Sequence, residues 1–128
     1  ADAGRTWTGP QTVTQPQQHP AGAIRLQSGN LLLTWGNRRA PYGAMAMLSR
    51  DEGKTWDYDH RVSIGWKGFG KNCGYANGVQ LADGTIKVTY YVMPETKDYH
   101  QLWNQSIVYL VSFSEKQFSK AAGYSKMQ

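Results

Sequence analysis

The sequence predicts an all-β chain of the β-propeller kind, assembled from four-stranded antiparallel units that recur along it. Three observations carry this expectation. Ser49-Arg50-Asp51-Glu52-Gly53-Lys54-Thr55-Trp56 has the form S-x-D-x-G-x-T-W and lies between two β-rich runs. Asp2-Ala3-Gly4-Arg5-Thr6-Trp7 repeats its last six positions 49 residues upstream. Gly22-Ala23-Ile24-Arg25-Leu26-Gln27-Ser28-Gly29-Asn30-Leu31 reads against Gly78-Val79-Gln80-Leu81-Ala82-Asp83-Gly84-Thr85-Ile86, with Gly29 and Gly84 55 residues apart. Self-similarity at roughly 40–50 residues, with several short strands per repeat, is the mark of a propeller unit.

Each fixed position of the D-x-G-x-T-W phrase suits a tight hairpin. An Asp carboxylate accepts hydrogen bonds from amides further along its own turn. Gly4 and Gly53 permit a positive φ that other residues reach only at a cost. The hydroxyls of Ser49, Thr6 and Thr55 are placed to satisfy local backbone groups. Trp7 and Trp56 are expected to return the chain to the core, each contributing a large apolar area and one N–H to place.

Taken in order, residues 5–15 are expected to form an outer strand, and the stretch from Pro16 to Pro20 a connection. Ala23–Leu26 reads as an inner strand, Ser28-Gly29-Asn30 as its turn and Leu31–Trp35 as the next strand. Leu31-Leu32-Leu33 is continuously apolar, which suits a strand covered on both faces. Asn37–Gly43 is a loop, Ala44–Leu48 a third strand of plain core residues, and Trp56–Ile64 a fourth that holds His60. Gly65–Asn72 is a glycine-rich connection. Val79–Leu81, Thr85–Val92 and Ser106–Ser114 are the strands of the next unit, the last placing Ile107, Tyr109, Val111 and Phe113 on one face. Pro94–Asn104 is a polar loop. Ser112–Phe118 stands where a third D-x-G hairpin would fall, and a helical turn is expected near Ser119–Ala122. The chain thus divides into 1–18 (an outer strand and linker), 19–64 (one unit) and 65–128 (a last unit and tail).

Composition bounds the rest. With 128 residues, 40% hydrophobic and 18% charged, the chain is globular and long enough to build a core. No apolar run approaches the ~18 residues of a membrane-spanning helix. Residues 1–5 carry no signal-peptide core, and any export signal is expected further upstream. The single Cys73 excludes an internal disulfide framework and reads as a small buried side chain. His19, His60 and His100 lack metal-ligand spacing. The net charge of +5 suits an anionic partner, but no Lys/Arg-rich run or motif points to nucleic acid. Gly65–Gly74 lacks the ending of a phosphate-binding loop.

The D-x-G-x-T-W hairpins resemble the Asp boxes of the sialidase (neuraminidase) superfamily, whose members with this pattern are largely six-bladed β-propellers. The run from His19 to Tyr91 looks like that family's C-terminal blades. The matching phrases are Leu31-Leu32-Leu33-Thr34-Trp35-Gly36-Asn37-Arg38-Arg39, then the box at Asp51, then Gly74-Tyr75-Ala76-Asn77-Gly78-Val79-Gln80-Leu81-Ala82-Asp83-Gly84-Thr85. The resemblance covers most of this chain and part of the family's usual length. It implies about two blades and a leftover strand of a ring that other blades, from the same or another chain, complete.

The resemblance also implies a function: exo-hydrolysis of a terminal sialic acid, or a related acidic sugar, from a glycan. The expected partner is an acidic glycan or sialoglycoconjugate, without cofactor, metal, nucleic acid or membrane segment, in a secreted or periplasmic setting. By matching position, Tyr75 corresponds to the family's tyrosine nucleophile. Arg39, with Arg38 as its rival, corresponds to one of three arginines that grip the substrate carboxylate. A guanidinium suits that task because it is permanently charged and binds a carboxylate bidentately. A tyrosine nucleophile avoids repulsion from an anionic sugar but needs a neighbouring base. The family's activating glutamate and two further arginines come from earlier blades. Glu52, Glu95 and Glu115 are expected to be solvated instead. Trp66, Phe69, Tyr99 and Trp103 are available either to stack on sugar rings or to cover sheet edges. Two other readings stand beside the enzyme: a non-catalytic carbohydrate-binding or scaffold propeller, and a fragment that completes its ring by self-assembly.

Overall fold

The phrases Leu26-Gln27-Ser28-Gly29-Asn30 and Leu81-Ala82-Asp83-Gly84-Thr85 close the same turn twice. In the computed structural model, which describes residues 2–65, 70–93 and 106–119, the Leu26 amide donates to Asn30 O at 2.8 Å and the Leu81 amide to Thr85 O at 2.8 Å. Gly29 and Gly84 sit at φ of 90° and 85°, a left-handed conformation that glycine adopts without a Cβ clash. The repeat read from sequence is therefore a repeat of backbone geometry.

Each turn joins the first two strands of a sheet. β1 (Gln18–Arg25), β2 (Leu31–Asn37), β3 (Gly43–Ser49) and β4 (Val62–Ser63) form one antiparallel sheet in that order. β5 (Cys73–Gln80), β6 (Ile86–Val92) and β7 (Ile107–Phe113) form a second, three-stranded antiparallel sheet. The described residues are thus all-β apart from a short 3₁₀ helix at Glu115–Ser119. None of their helices is long and apolar enough to cross a membrane.

The boundaries correct several expectations. Residues 5–15 form no strand, since no neighbouring edge offers them a ladder. β1 starts at Gln18 and runs through Pro20, inside the stretch expected to be a connection, because a register shift between Gln18 and Ala21 accommodates the proline's missing N–H. The fourth strand shrinks to two residues, and His60 lies in the turn before it, with Nδ1 2.6 Å from Asp57 Oδ1. β5 begins six residues before Val79. Glu115 is in the 3₁₀ helix rather than in a strand, and its Oε1 accepts from Ser28 Oγ and Asn30 Nδ2 at 2.9 and 2.6 Å. The helical turn expected near Ser119–Ala122 lies almost wholly outside the described residues.

The central strands β2 and β3 are buried on both faces, as the apolar run of β2 requires. Leu32, Ala44, Ala46 and Leu48 pack against Cys73, Ala76, Ile86, Val88, Tyr90 and Val92 of the second sheet. Leu33, Trp35, Met45 and Met47 form a separate cluster on the opposite face, with Val13, Trp56 and Tyr58 against it. The register alternates the two sets, Leu33 opposite Met47 and Leu32 opposite Leu48.

The sheets meet closely at glycines. A methyl group built on Gly36 would lie 2.4 Å from the Gly74 Cα, and one on Gly22 would lie 2.1 Å from Asn77 Oδ1. Directional bonds cross the same junction: Thr34 Oγ1 donates to Ala76 O at 2.7 Å, and Gln27 N and Nε2 donate to Gln80 Oε1 and Leu81 O at 2.7 and 2.8 Å. On the far side of the second sheet Val79, Val108 and Leu110 are exposed.

Candidate functional site

Both sheets carry an irregularity at the start of their first strand. In β1 the register shifts between Gln18 and Ala21, and in β5 it shifts between Gly74 and Asn77. The two bulges lie against each other, since a methyl on Gly74 would come within 3.3 Å of the Pro20 Cδ and 3.5 Å of His19 O. Bulges often re-aim a side chain beside a functional site.

Here the side chain is Tyr75. The bulge holds it at φ 52°, a conformation rare for a bulky residue, and leaves it 65% exposed. Its ring rests on Tyr91 at a centroid distance of 5.7 Å and a tilt of 38°. Gly74 before it has φ 147°, a conformation strained for an L side chain, and Gly36 packs directly against its Cα. Cys73, one residue earlier, is fully buried. Its Sγ donates to Asn37 O and Gly43 O at 3.4 and 3.5 Å. Burial pushes this thiol up, so it stays protonated and structural.

The two arginines of the β2–β3 loop part company. The Arg38 side chain crosses to β5, where Nε donates to Cys73 O at 3.1 Å and Nη2 lies 3.7 Å from the Cβ position of Gly74. The Arg38 amide donates to Gln17 O at 2.9 Å, which fixes the loop's exit. Arg39 turns elsewhere, with Nη1 on Gln15 Oε1 at 2.7 Å. Asn37 anchors the loop by donating Nδ2 to Arg39 O and Pro41 O at 3.0 and 2.6 Å. Arg38 therefore reaches the start of β5, two residues before Tyr75, and Arg39 does not.

The glutamates are occupied away from this point. Glu52 pairs bidentately with Arg25 at 2.8 and 2.9 Å, and this pair is exposed rather than simply solvated. Glu115 holds the β1–β2 turn, as above. Glu95, Trp66, Phe69, Tyr99 and Trp103 lie outside the described residues. Among the described residues, no carboxylate bonds the Tyr75 hydroxyl.

The D-x-G hairpins have a structural role. Asp51 Oδ1 accepts from the Thr55 amide and from Ser49 Oγ, both at 2.8 Å, and Oδ2 accepts from Thr55 Oγ1 at 2.6 Å. Ser49 Oγ also accepts from the Gly53 amide at 2.8 Å. The Thr55 hydroxyl first, then its amide, hold the Asp51 carboxyl down to about 2. Asp2 repeats the pattern, accepting from the Gly4 and Arg5 amides at 3.1 and 3.2 Å and from the Thr6 hydroxyl. Glu52–Gly53 and Ala3–Gly4 all have positive φ, the trait of a type I′ turn. Trp56 packs on the second cluster. Trp7, expected in the core, is 88% exposed, because no sheet lies over it and its indole N–H donates only to Gly4 O at 2.9 Å.

Sequence reasoning missed a polar recess at the same end of the first sheet, lined by Gln15, Gln18, Asn37, Arg39, Tyr58 and Arg61. Its residues come from segments without periodicity, so only the charged run Asp57-Tyr58-Asp59-His60-Arg61 hinted at it. The sequence matches no family model, and neither a curated protein nor a solved structure matches the chain.

Proposed function

We propose that this chain is part of a sialidase-like glycoside hydrolase, its two sheets being consecutive blades of a β-propeller. The observation that carries the reading is Tyr75, exposed at positive φ on a bulge of the strand whose start Arg38 reaches from the adjacent sheet. A strained exposed tyrosine beside a guanidinium is the arrangement that an anionic sugar and a phenol nucleophile require. The paired D-x-G-x-T-W hairpins and the repeated inner turns support the blade assignment. The open apolar side of β5–β7 supports a further blade packed against it, from the same or another chain.

In this mechanism Arg38 holds the substrate carboxylate, because its guanidinium and not that of Arg39 reaches the Tyr75 strand. The Tyr75 oxygen attacks the anomeric carbon while the aglycone leaves, and water then releases the sugar from the tyrosine with net retention. A glutamate from another blade takes the phenol proton. The test is release of 4-methylumbelliferone from its α-sialoside by the protein with its completing blades. Tyr75→Phe is expected to cut release by about 10³-fold or more, and Arg38→Gln to weaken it by at least about tenfold. Undiminished release by Tyr75→Phe overturns the assignment.

A carbohydrate-binding propeller without catalysis is the second reading, favoured by the lack of a carboxylate on the Tyr75 hydroxyl among the described residues. Saturable binding of sialyllactose with no hydrolysis over days would select it.

A further inference from the structure

We propose that the recess between the β2–β3 loop and the segment preceding β4 is a second binding site, for a compact oxyanion. It is independent of the glycosidase reading and lies on another surface. Tyr58 stacks on Trp35 at 6.4 Å and 14°, on the face of the first sheet turned away from β5 and Tyr75.

The floor of the recess is a built polar network. Gln18 and Asn37 are 5% and 1% exposed and bond through Nε2 and Oδ1 at 3.1 Å. Gln18 Oε1 accepts from the Tyr58 hydroxyl and from the Gln15 amide, both at 3.0 Å. These bonds fix the orientation of the carboxamides and make the floor rigid. Arg39 and Arg61 stand on the walls. The Arg61 guanidinium lies over the Tyr58 ring at 4.1 Å and donates Nη1 to Tyr58 O at 2.7 Å. The bond from Arg39 to Gln15 engages one of its five N–H donors.

The charge on these walls is one-sided. Among the described residues that line the recess are two arginines and no Asp or Glu. The nearby Asp57 is held by Arg50 at 2.8 Å and His60 at 2.6 Å. Two permanent cations sharing one recess repel each other, and an anion between them removes that repulsion while accepting planar, paired N–H donors. The space is about 90 Å³. That leaves room for a carboxylate or phosphoryl group.

The probes are acetate and inorganic phosphate, each titrated against chloride at constant ionic strength, with the arginine Nε–Hε resonances as readout. Saturable shifts at Arg39 and Arg61 with acetate assign the site to a carboxylate, and with phosphate to a phosphoryl group. Arg61→Gln and Arg39→Gln are each expected to weaken the response at least tenfold, and Arg61→Lys less. Lys87→Gln, on the second sheet, is expected to leave it intact. The amide spectrum reports whether each variant is folded. Shifts that follow chloride equally, fail to saturate or survive both glutamine variants overturn the proposal.

Discussion

The two sheets are built from the same turn and the same kind of strand, yet they differ in coverage. All seven residues of β3 are buried, whereas β7 alternates and leaves Val108 and Leu110 exposed. The first sheet has the second sheet on one face and Val13, Trp56 and Tyr58 on the other. Among the described residues, the second sheet's buried side chains belong to the cluster it shares with the first sheet. Burial in this fold is therefore a property of a strand's neighbours more than of its composition, since Leu110 is as apolar as Leu33.

The sharpest test of the contrast pairs a core methionine with an exposed leucine. Met47→Ala removes a fully buried side chain and is expected to cost about 3 kcal/mol, while Leu110→Ala stays within about 0.5 kcal/mol. Urea unfolding of both variants checks this, and equal losses would mean that the second sheet's open side is covered in solution.

Next in size is the junction itself. Gly36→Ala places a methyl 2.4 Å from backbone that cannot swing aside. A loss of about 2 kcal/mol or more is expected, with faster labelling of Cys73 by a thiol reagent as the sheets separate. Gly9→Ala, which meets nothing within 4 Å, is the control. Unchanged thiol protection in Gly36→Ala would argue that the sheets do not meet at these glycines.

The hairpins give a smaller version of the same comparison. Trp56→Ala is expected to cost about 1–2 kcal/mol, because its half-buried ring covers the second cluster. Trp7→Ala, in the matching hairpin, should stay within about 0.5 kcal/mol. Thermal melts of the two variants that coincide would contradict the packing difference.

The mildest effect is acid dependence. The Asp51 carboxyl is held at about 2 in the folded hairpin against 3.8 for the free group. A carboxyl lowered on folding stabilises the fold fully above its unfolded value and loses that contribution as pH falls through the folded one. The Asp51 hairpin should thus hold above about pH 4 and loosen between pH 4 and 2. Asp51→Asn should flatten this dependence in a titration of the Thr55 amide shift. A shift that titrates unchanged in the variant would remove Asp51 as its source.

Much of this was legible in the residues. The inner turns at Gly29 and Gly84 and the hairpin at Asp51 are local devices, in which neighbouring side chains and glycine backbones satisfy one another whatever surrounds them. Leu31-Leu32-Leu33 announced two covered faces. Tyr75 was singled out by its phrase, but its positive φ was not, because the strain comes from a bulge pressed against Gly36 and Pro20. Arg38 and Arg39 are adjacent and chemically identical, so no sequence rule could say that one would reach β5 and the other Gln15. Gln15 and Gln18 gave no signal, since only the fold brings them to Arg61, more than 40 residues further along.

The sequence by itself determined the all-β class, the turns and the hairpins, because their hydrogen bonds close within five residues. The tertiary structure alone decided which face of each sheet is dry, why Trp56 packs while Trp7 does not, and which arginine reaches β5. Those outcomes depend on contacts between segments tens of residues apart, where burial and direction follow from how the sheets dock.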